Sequence, residues 1–200
     1  FIAFEWTSLV KGNNLHRNII FRDGKEKADQ VVPFGSYDSE DPEDLWAWME
    51  RYEASTGGKL LAIPHNGNLS NGLMFDDVTM SGKPLTADYA ERRMTWEPVY
   101  EITQIKGDGE AHPLLSPNDE FADYGTWDKG SFGPEPKTPE MLPREYAREA
   151  FKRGMAYEAR LGVNPFKFGV VGSTDSHTGL STAEEDNFFG KVAMVEPTDD

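Results

Sequence analysis

Short apolar runs alternate with amphipathic, helix-like stretches along almost the whole of this 200-residue chain. Apolar runs bounded by Gly or Pro are typical of strands that are buried on both faces. Their alternation with helices indicates parallel strands joined by crossover helices, either in a barrel or in an open sheet. We therefore expect a single α/β domain over residues 1–200. The predicted strands cover residues 1–6, 16–22, 60–64, 99–105, 168–172 and 191–196.

Capping residues mark the ends of the predicted helices. Asp41 followed by Pro42 is typical of a helix start, because Pro is tolerated in the first helical turn. Gly162 stands where a helix needs a left-handed C-terminal cap. The stretch 125–143 is rich in Gly, Pro and charge, and we expect a surface loop there. The predicted helices cover residues 43–55, 86–95, 116–124 and 143–161.

Composition excludes several classes of function. The 35 acidic and 20 basic side chains give a net charge of −15, so we expect neither nucleic acid nor an anionic membrane as a partner. The chain has no cysteine, which excludes disulfides, iron–sulfur clusters and a thiol nucleophile. Gly-x-Ser-x-Gly and Gly-rich phosphate loops are absent from the sequence. A glycosidase with two carboxylates stays open, because so many acids provide many pairs.

Carboxylates and histidines follow several predicted strands, where functional groups gather in parallel α/β folds. Glu5 stands near the end of the first strand, and His65 directly follows the third. Asp175 and His177 follow the strand that ends at residue 172, and their spacing of two places both side chains on one side of an extended chain. Imidazoles and carboxylates without thiols suit Zn²⁺, Mn²⁺ or Fe²⁺. His16 differs, because it begins a strand.

Each of these residues also has an ordinary interpretation. Asp175 could cap a loop beside an exposed His177. His65 could be a satisfied core histidine, and Glu5 a strand-edge side chain that faces solvent. His16 alone is more typical of an exposed polar residue. The group carries more weight than any member, and it predicts bound metal that activates water for hydrolysis at neutral pH.

Five segments in order resemble an uncharacterised family, domain of unknown function 3604, that is related to the polymerase and histidinol phosphatase (PHP) superfamily. These segments are residues 5–8, 14–18, 63–66, 101–107 and 172–177. The resemblance covers nearly all of the chain. It implies a distorted β/α barrel related to the TIM barrel, with two or three divalent metal ions at its C-terminal mouth. It also implies hydrolysis of phosphate esters.

The resemblance further implies a set of metal ligands in which Glu5 bridges the ions and His16 takes part. PHP domains open with a His-x-His strand, which this sequence lacks. We therefore expect a barrel that is incomplete at its N-terminus and is completed by a preceding segment of the same protein. The implied ligands are Glu5, His16, His65, Asp175 and His177.

These observations together predict a metal-dependent hydrolase, most simply a phosphoesterase, that acts on a small anionic ester. Arg17 and Lys106 are the candidates for orienting the anion, and Arg17 is favoured for bidentate contact. Two alternatives stay open: hydrolysis of an amide or sulfate ester at the same site, or a binding or scaffold module without catalysis. Further candidates near the substrate are Asn66, Asn68, Glu101, Glu110 and His112.

Overall fold

The computed structural model describes residues 1–177 together with Glu184 and Asp186. The predicted strand over residues 191–196 lies outside these residues. The strands are β1 (Ile2–Trp6), β2 (Leu9–Val10), β3 (Asn13–Asn14), β4 (Arg17–Phe21), β5 (Leu60–Pro64), β6 (Val99–Gln104), β7 (Gly107–Asp108) and β8 (Gly169–Gly172). The helices are α1 (Lys25–Ala28), α2 (Pro42–Thr56), α3 (Ala87–Trp96) and α4 (Ala147–Leu161).

The strands form three small sheets. In the first sheet, β4 lies between β1 and β5 and is antiparallel to both. The short hairpin of β2 and β3 connects β1 to β4 and reverses the chain between them. In the third sheet, β6 pairs with β8 in parallel and with β7 in antiparallel orientation. The candidate residues therefore gather where strand ends of the first and third sheets face each other.

The predicted barrel is wrong. The first and third sheets are separate three-stranded sheets, and no ladder of backbone hydrogen bonds closes them into a barrel within the described residues. Among the strands of the described residues, the prediction of parallel pairing holds only for β6 and β8. Its failure has a physical reason, because an apolar run has the same composition whichever way the strand points. The structure is thus a mixed α/β fold dominated by antiparallel pairing.

The caps of the long helices are confirmed. The Asp41 side chain accepts a hydrogen bond of 2.9 Å from the backbone N–H of Glu43 at the start of α2. Gly162 takes a left-handed φ of 79° after α4. The predicted helix over residues 116–124 is wrong, because the Asp119 carboxylate accepts the N–H of Phe121 and the segment forms successive turns. None of the helices in the described part of the chain is long and apolar enough to cross a membrane.

Two hydrophobic clusters support the sheets. The first packs α2 and Trp96 against one face of the first sheet. The second packs α4 and Phe168 around Tyr100 of β6. The opposite face of the first sheet stays open, and its side chains line a cleft of about 440 Å³ against β8. The clusters therefore hold the two sheets from outside, and the candidate residues lie between the sheets.

A buried ionic network joins β4 to the segment that follows α3. Arg17, only 2% exposed, donates from Nε to Glu97 Oε1 at 3.0 Å. Arg93 Nε lies 3.3 Å from Glu97 Oε2, and Trp46 Nε1 donates to Oε1 at 3.0 Å. Burial alone would raise the pKa of Glu97, but the two guanidinium groups outweigh it and lower this pKa. One carboxylate thus balances two buried cations.

We predict that Glu97→Gln lowers the free energy of unfolding by about 3–5 kcal/mol, because it leaves two guanidinium groups without a counter-charge in the core. Urea unfolding at neutral pH measures this. The matched control is Glu91→Gln on the exposed side of α3, where a change within about 0.5 kcal/mol is expected. Equal effects of the two substitutions would contradict the structural role of Glu97.

The same pair predicts a pH dependence. The pKa of Glu97 is lowered on folding, so its stabilisation is fully present above its ordinary pKa of 4.5 and is lost as the pH falls through the lower, folded value. The difference in unfolding free energy between the wild type and Glu97→Gln should therefore shrink in acid. Urea unfolding between pH 7 and roughly pH 3 tests this, and a difference that grows in acid would contradict it.

Candidate metal centre

Glu5, His16 and His65 meet at one end of the first sheet. The antiparallel order places the end of β1, the start of β4 and the end of β5 side by side. Beyond the ladder, the His65 N–H donates to the His16 carbonyl at 3.3 Å and fixes the two histidines next to each other. Glu5 Oε1 lies 2.7 Å from His16 Nδ1 and 3.6 Å from His65 Nε2. These three residues form the first triad.

Asp175 and His177 form a second triad together with the Glu5 carboxylate. They follow β8, and the segment is held to β6 by hydrogen bonds from the Ser173 N–H to the Thr103 carbonyl and from the Ile105 N–H to the Thr174 carbonyl. Asp175 has a left-handed φ of 52°, a conformation that Asp tolerates better than most residues.

In each triad the donor atoms lie within 4.8 Å of one another, and Glu5 belongs to both triads. The site is therefore two adjoining groups that share one carboxylate.

The protonation states at the first triad suit metal binding. Burial alone would raise the pKa of Glu5, but its contacts with His16 and His65 outweigh burial and hold the pKa well below its usual range. Burial lowers the pKa of His16, although the Glu5 carboxylate opposes this effect. Glu5 is therefore ionised and His16 neutral at pH 7, which are the forms that coordinate metals.

Two imidazole nitrogens of the first triad are buried without a hydrogen bond to any described residue: His16 Nε2 and His65 Nε2. The other ring nitrogen of His65, Nδ1, lies 3.4 Å from the Ile63 carbonyl oxygen. Donation from Nδ1 to that carbonyl leaves the Nε2 lone pair free, as in histidines that bind metals. Buried polar atoms normally have partners, so these two nitrogens indicate a missing ligand.

Asp175 is held by the side chain at the end of β6 and by one in the loop that follows it. Gln104 Nε2 donates to Asp175 Oδ2 at 2.9 Å, and the Lys106 ammonium forms an ion pair with the same carboxylate. The structure thus places Lys106 in the cluster itself, at the edge of the second triad. The ammonium of Lys106 therefore adds positive charge to the cluster beside Asp175.

Glu101 is a second acidic residue in this cleft, in addition to Glu5. It lines the cleft with Glu5, Asn18 and residues of β8, and it is only 6% exposed. Burial raises the pKa of Glu101, and its Oε1 has no hydrogen bond within the described residues. Burial thus favours the protonated form of Glu101 more than in an exposed glutamate.

Arg17 lies away from the cluster. Its side chain leaves β4 on the opposite face from Asn18, packs 5.7 Å from the centre of the Trp6 ring and pairs with Glu97. The predicted role of Arg17 in orienting an anion at the metal centre has no geometric support, because β alternation points its guanidinium to the other side of the sheet.

Asn66 and Asn68 follow β5 beside the cluster. Asn68 donates from Nδ2 to the carbonyls of Lys106 at 3.0 Å and Trp127 at 2.9 Å, so it joins two loops. Asn66 is buried in a left-handed conformation with φ of 58°. Neither Oδ1 nor Nδ2 of Asn66 has a hydrogen bond to any described residue.

Glu110 and His112 also make their contacts outside the triads. Glu110 pairs with Arg148 at 2.7 Å, and His112 Nε2 lies 2.9 Å from Asp128 Oδ2. His112 Nδ1 accepts the Leu114 N–H at 3.2 Å, so Nε2 carries the proton donated to Asp128. Both ring nitrogens of His112 are thus used within its own loop.

Sequence reasoning missed Asn18 and Gln104. Asn18 stands directly opposite Glu5 in the ladder between β1 and β4. Gln104 ends β6, and its amide reaches Asp175. Period-two alternation from His16 was the available signal for Asn18. Gln104 lies three residues after Glu101, and the register between β6 and β8 shifts between Glu101 and Thr103, so alternation does not lead to it.

The fold and the site together define a mixed α/β protein with a carboxylate–imidazole cluster suited to divalent metal ions. The chain belongs to the family described as Protein of unknown function (DUF3604), whose model matches residues 1–200. This confirms the resemblance to that family, whereas the relation to the PHP superfamily stays a prediction. No curated protein and no solved structure matches the chain.

We predict that Glu5→Gln weakens two metal-binding steps, whereas His65→Gln and His177→Gln each weaken one, because only Glu5 belongs to both triads. Each loss should be at least about tenfold, the lower end of the effect of removing outer-shell partners of metal ligands. Calorimetric titration with Mn²⁺ or Zn²⁺ measures the steps. Asp128→Asn, outside the cluster, serves as the control. If Glu5→Gln affected a single step, the shared carboxylate would be disproved.

Proposed function

We propose that the protein is a metal-dependent hydrolase that cleaves a phosphoester in a small anionic substrate. The observation that carries the proposal is the Glu5 carboxylate shared by two triads, beside two buried imidazole nitrogens that lack a hydrogen bond in the described residues. Polar atoms buried in this way are unfavourable unless a further ligand completes them. A divalent cation is the ligand that carboxylates and neutral imidazoles suit best.

The donor set fits such cations. Glu5, His16 and His65 would hold one ion, and Glu5, Asp175 and His177 would hold a second. The absence of thiols and the mixture of nitrogen and oxygen donors suit Zn²⁺, Mn²⁺ or Fe²⁺. When bound, the ions supply a water of lowered pKa and polarise an ester oxygen.

The residues around the triads would perform the other tasks. Lys106 and Gln104 position Asp175, and the Lys106 charge attracts an anionic substrate to the cleft. Asn18 offers an amide in the wall opposite β8. Glu101, which burial keeps in its protonated form more readily than usual, would donate a proton to the leaving oxygen.

A phosphoester is the favoured substrate because two bound divalent cations, together with Lys106, would concentrate positive charge at this cleft in a chain of net charge −15. The relation to the PHP superfamily, many of whose members hydrolyse phosphate esters, belongs to this proposal. It rests on Glu5, His16, His65 and the Asp175-x-His177 pair, and it does not require a closed barrel.

We predict that the purified protein, stripped with chelator and reloaded with Mn²⁺, Zn²⁺ or Fe²⁺, hydrolyses members of a panel of phosphomonoesters and phosphodiesters. His65→Gln and Asp175→Asn should each reduce kcat/KM by roughly 100-fold or more, because each removes a cation ligand. Asp128→Asn is the matched control for Asp175→Asn and should retain activity. Full activity in His65→Gln and Asp175→Asn, or activity that persists after the metal is removed with chelator, would refute the proposal.

The role of Glu101 makes a separate prediction. Glu101→Gln should lower kcat roughly 100-fold or more for esters whose leaving group is a basic alkoxide, because general acid catalysis contributes about this much. The loss should be small for p-nitrophenyl phosphate, whose leaving group needs no proton. Rate constants for a series of leaving groups measure this difference. A uniform loss across the series would show that Glu101 acts structurally.

A further inference from the structure

A cavity of about 390 Å³ lies beside the turn between β6 and β7, and we name it the Trp127 pocket. Lys106, which pairs with Asp175 in the cluster, belongs to this turn. The volume is that of a small-molecule pocket, and the proposed hydrolysis uses none of it. The lining residues are Ile105, Gly107, Gly125, Thr126, Trp127, Asp128 and Lys129.

Two large apolar side chains are exposed in this pocket. Trp127 is 47% exposed and Ile105 is 42% exposed. Apolar surface in contact with water is unfavourable, so a ligand that covers these side chains gains binding free energy. The indole also offers a flat face on which a planar ring can stack. The pocket is therefore suited to the apolar part of a ligand.

Asn68 fixes Trp127 next to Lys106. The buried Asn68 amide donates to the carbonyls of both residues, at 2.9 Å and 3.0 Å. Gly107 has a φ of 110°, and a Cβ at this position would lie 2.6 Å from the Trp127 Cβ, so the two segments can approach this closely only at a glycine. The backbone of an exposed aromatic residue is thus held in place, which lowers the entropic cost of binding a ligand there.

The Trp127 pocket lies about one lysine side chain away from the cluster. The Lys106 ammonium pairs with Asp175, whereas the Lys106 carbonyl shares its hydrogen-bond donor with the carbonyl of Trp127. The Ile105 N–H donates to the Thr174 carbonyl at 3.3 Å and ties the turn to the segment of the second triad. A lysine side chain has a stem of four carbons. A chain of similar length would connect a phosphate at the cluster with a ring in the pocket.

The polar groups of the pocket favour an uncharged aromatic ring over a sugar. Asp128 already binds His112 at 2.9 Å, and its lowered pKa keeps it anionic, which disfavours an anionic ring. The Gly125 carbonyl accepts a backbone N–H, and the exposed Lys129 side chain stays hydrated. Thr126 Oγ1 is buried without a hydrogen bond to any described residue. A sugar would bring several hydroxyl groups that need partners, whereas an aromatic ring needs few.

We propose that the Trp127 pocket binds an uncharged aromatic ring of the substrate, stacked on the indole. The inference rests on the proposed function and names its substrate class: a phosphoester whose organic group carries an aromatic ring at the end of a short chain. Thr126 Oγ1 would hydrogen-bond to a polar atom at the edge of the ring. The phosphate would lie at the cluster, with Lys106 between the two parts of the substrate.

Isothermal titration of the Mn²⁺-loaded protein with phosphonates, which are not hydrolysed, tests the ring. 4-Phenylbutylphosphonate should bind at least about fivefold more tightly than butylphosphonate, because it adds stacking on the indole. Cyclohexyl and glucosyl groups on the same four-carbon spacer should each bind at least about twofold more weakly than phenyl. Equal affinity for the phenylbutyl and butyl compounds would overturn the proposal. Equal or tighter binding of either replacement would overturn the aromatic class.

Trp127→Ala tests where the ring binds. This substitution should lower the affinity for 4-phenylbutylphosphonate at least about fivefold and leave the affinity for butylphosphonate unchanged, whereas Trp127→Phe should keep part of the difference. Phe132→Ala is the matched control, because it removes an exposed aromatic side chain of the same loop from outside the pocket lining. Unchanged affinity in Trp127→Ala, or an equal loss for both compounds, would overturn the stacking.

Met80→Ala tests a different location for the ring. Met80 and Arg17 line a cavity of about 340 Å³ on the other face of β4, and this cavity shares no lining residue with the Trp127 pocket or with the cleft beside Glu5. The Met80→Ala protein should bind 4-phenylbutylphosphonate as the wild type does. A loss of affinity in Met80→Ala that is absent from Trp127→Ala would place the ring in that other cavity and overturn the proposal.

Failure of this inference can be told apart from failure of the proposed hydrolysis, because phosphonate binding requires no turnover. If the metal-loaded protein binds 4-phenylbutylphosphonate through Trp127 but cleaves no ester, the inference on the pocket holds and only the hydrolysis is refuted. If the protein cleaves phosphoesters but the phenyl group adds no affinity, the hydrolysis holds and the ring-binding role of the Trp127 pocket is refuted.

Discussion

The antiparallel placement of β4 between β1 and β5 is the constraint on which the candidate site depends. It aligns the start of one strand with the ends of two others, and so it collects a carboxylate and two histidines at a single edge. Parallel strands would have moved His16 to the far end of the sheet. The hairpin of β2 and β3 is short enough to fix this register. The first triad is therefore a direct consequence of strand direction.

The network around Glu97 explains why β4 can hold that position. Charged groups are unfavourable in a core unless geometry and hydrogen bonds compensate them, and here two guanidinium groups converge on one carboxylate. The network connects β4 with the segment between α3 and β6, which leads to the third sheet. Hydrophobic packing has no direction, whereas these contacts are directional. They favour one orientation of the two sheets over others that would bury similar area.

Local chemistry could be predicted from the sequence, and long-range pairing could not. Asp41 and Gly162 mark helix ends because capping depends on a few neighbouring residues. The barrel was predicted wrongly because apolar runs carry no information on strand direction. The triad members could be predicted as a group, while Asn18 and Gln104 depend on pairings that only the fold shows. Arg17 was predicted to orient an anion, whereas the structure pairs it with Glu97, which is 80 residues away in the sequence.

Adjacent residues of β4 line two separate spaces, and this has a consequence for regulation. Arg17 and Asn18 are joined by one peptide bond, so a displacement of β4 at one space would also displace the wall of the other. Coupling between the two spaces needs no long chain of intermediates, since the strand itself is the common element. Thermodynamic linkage makes such coupling reciprocal: an occupant of either space would change the affinity of the other by the same factor. The single layer of β4 would then be the element that couples the two spaces.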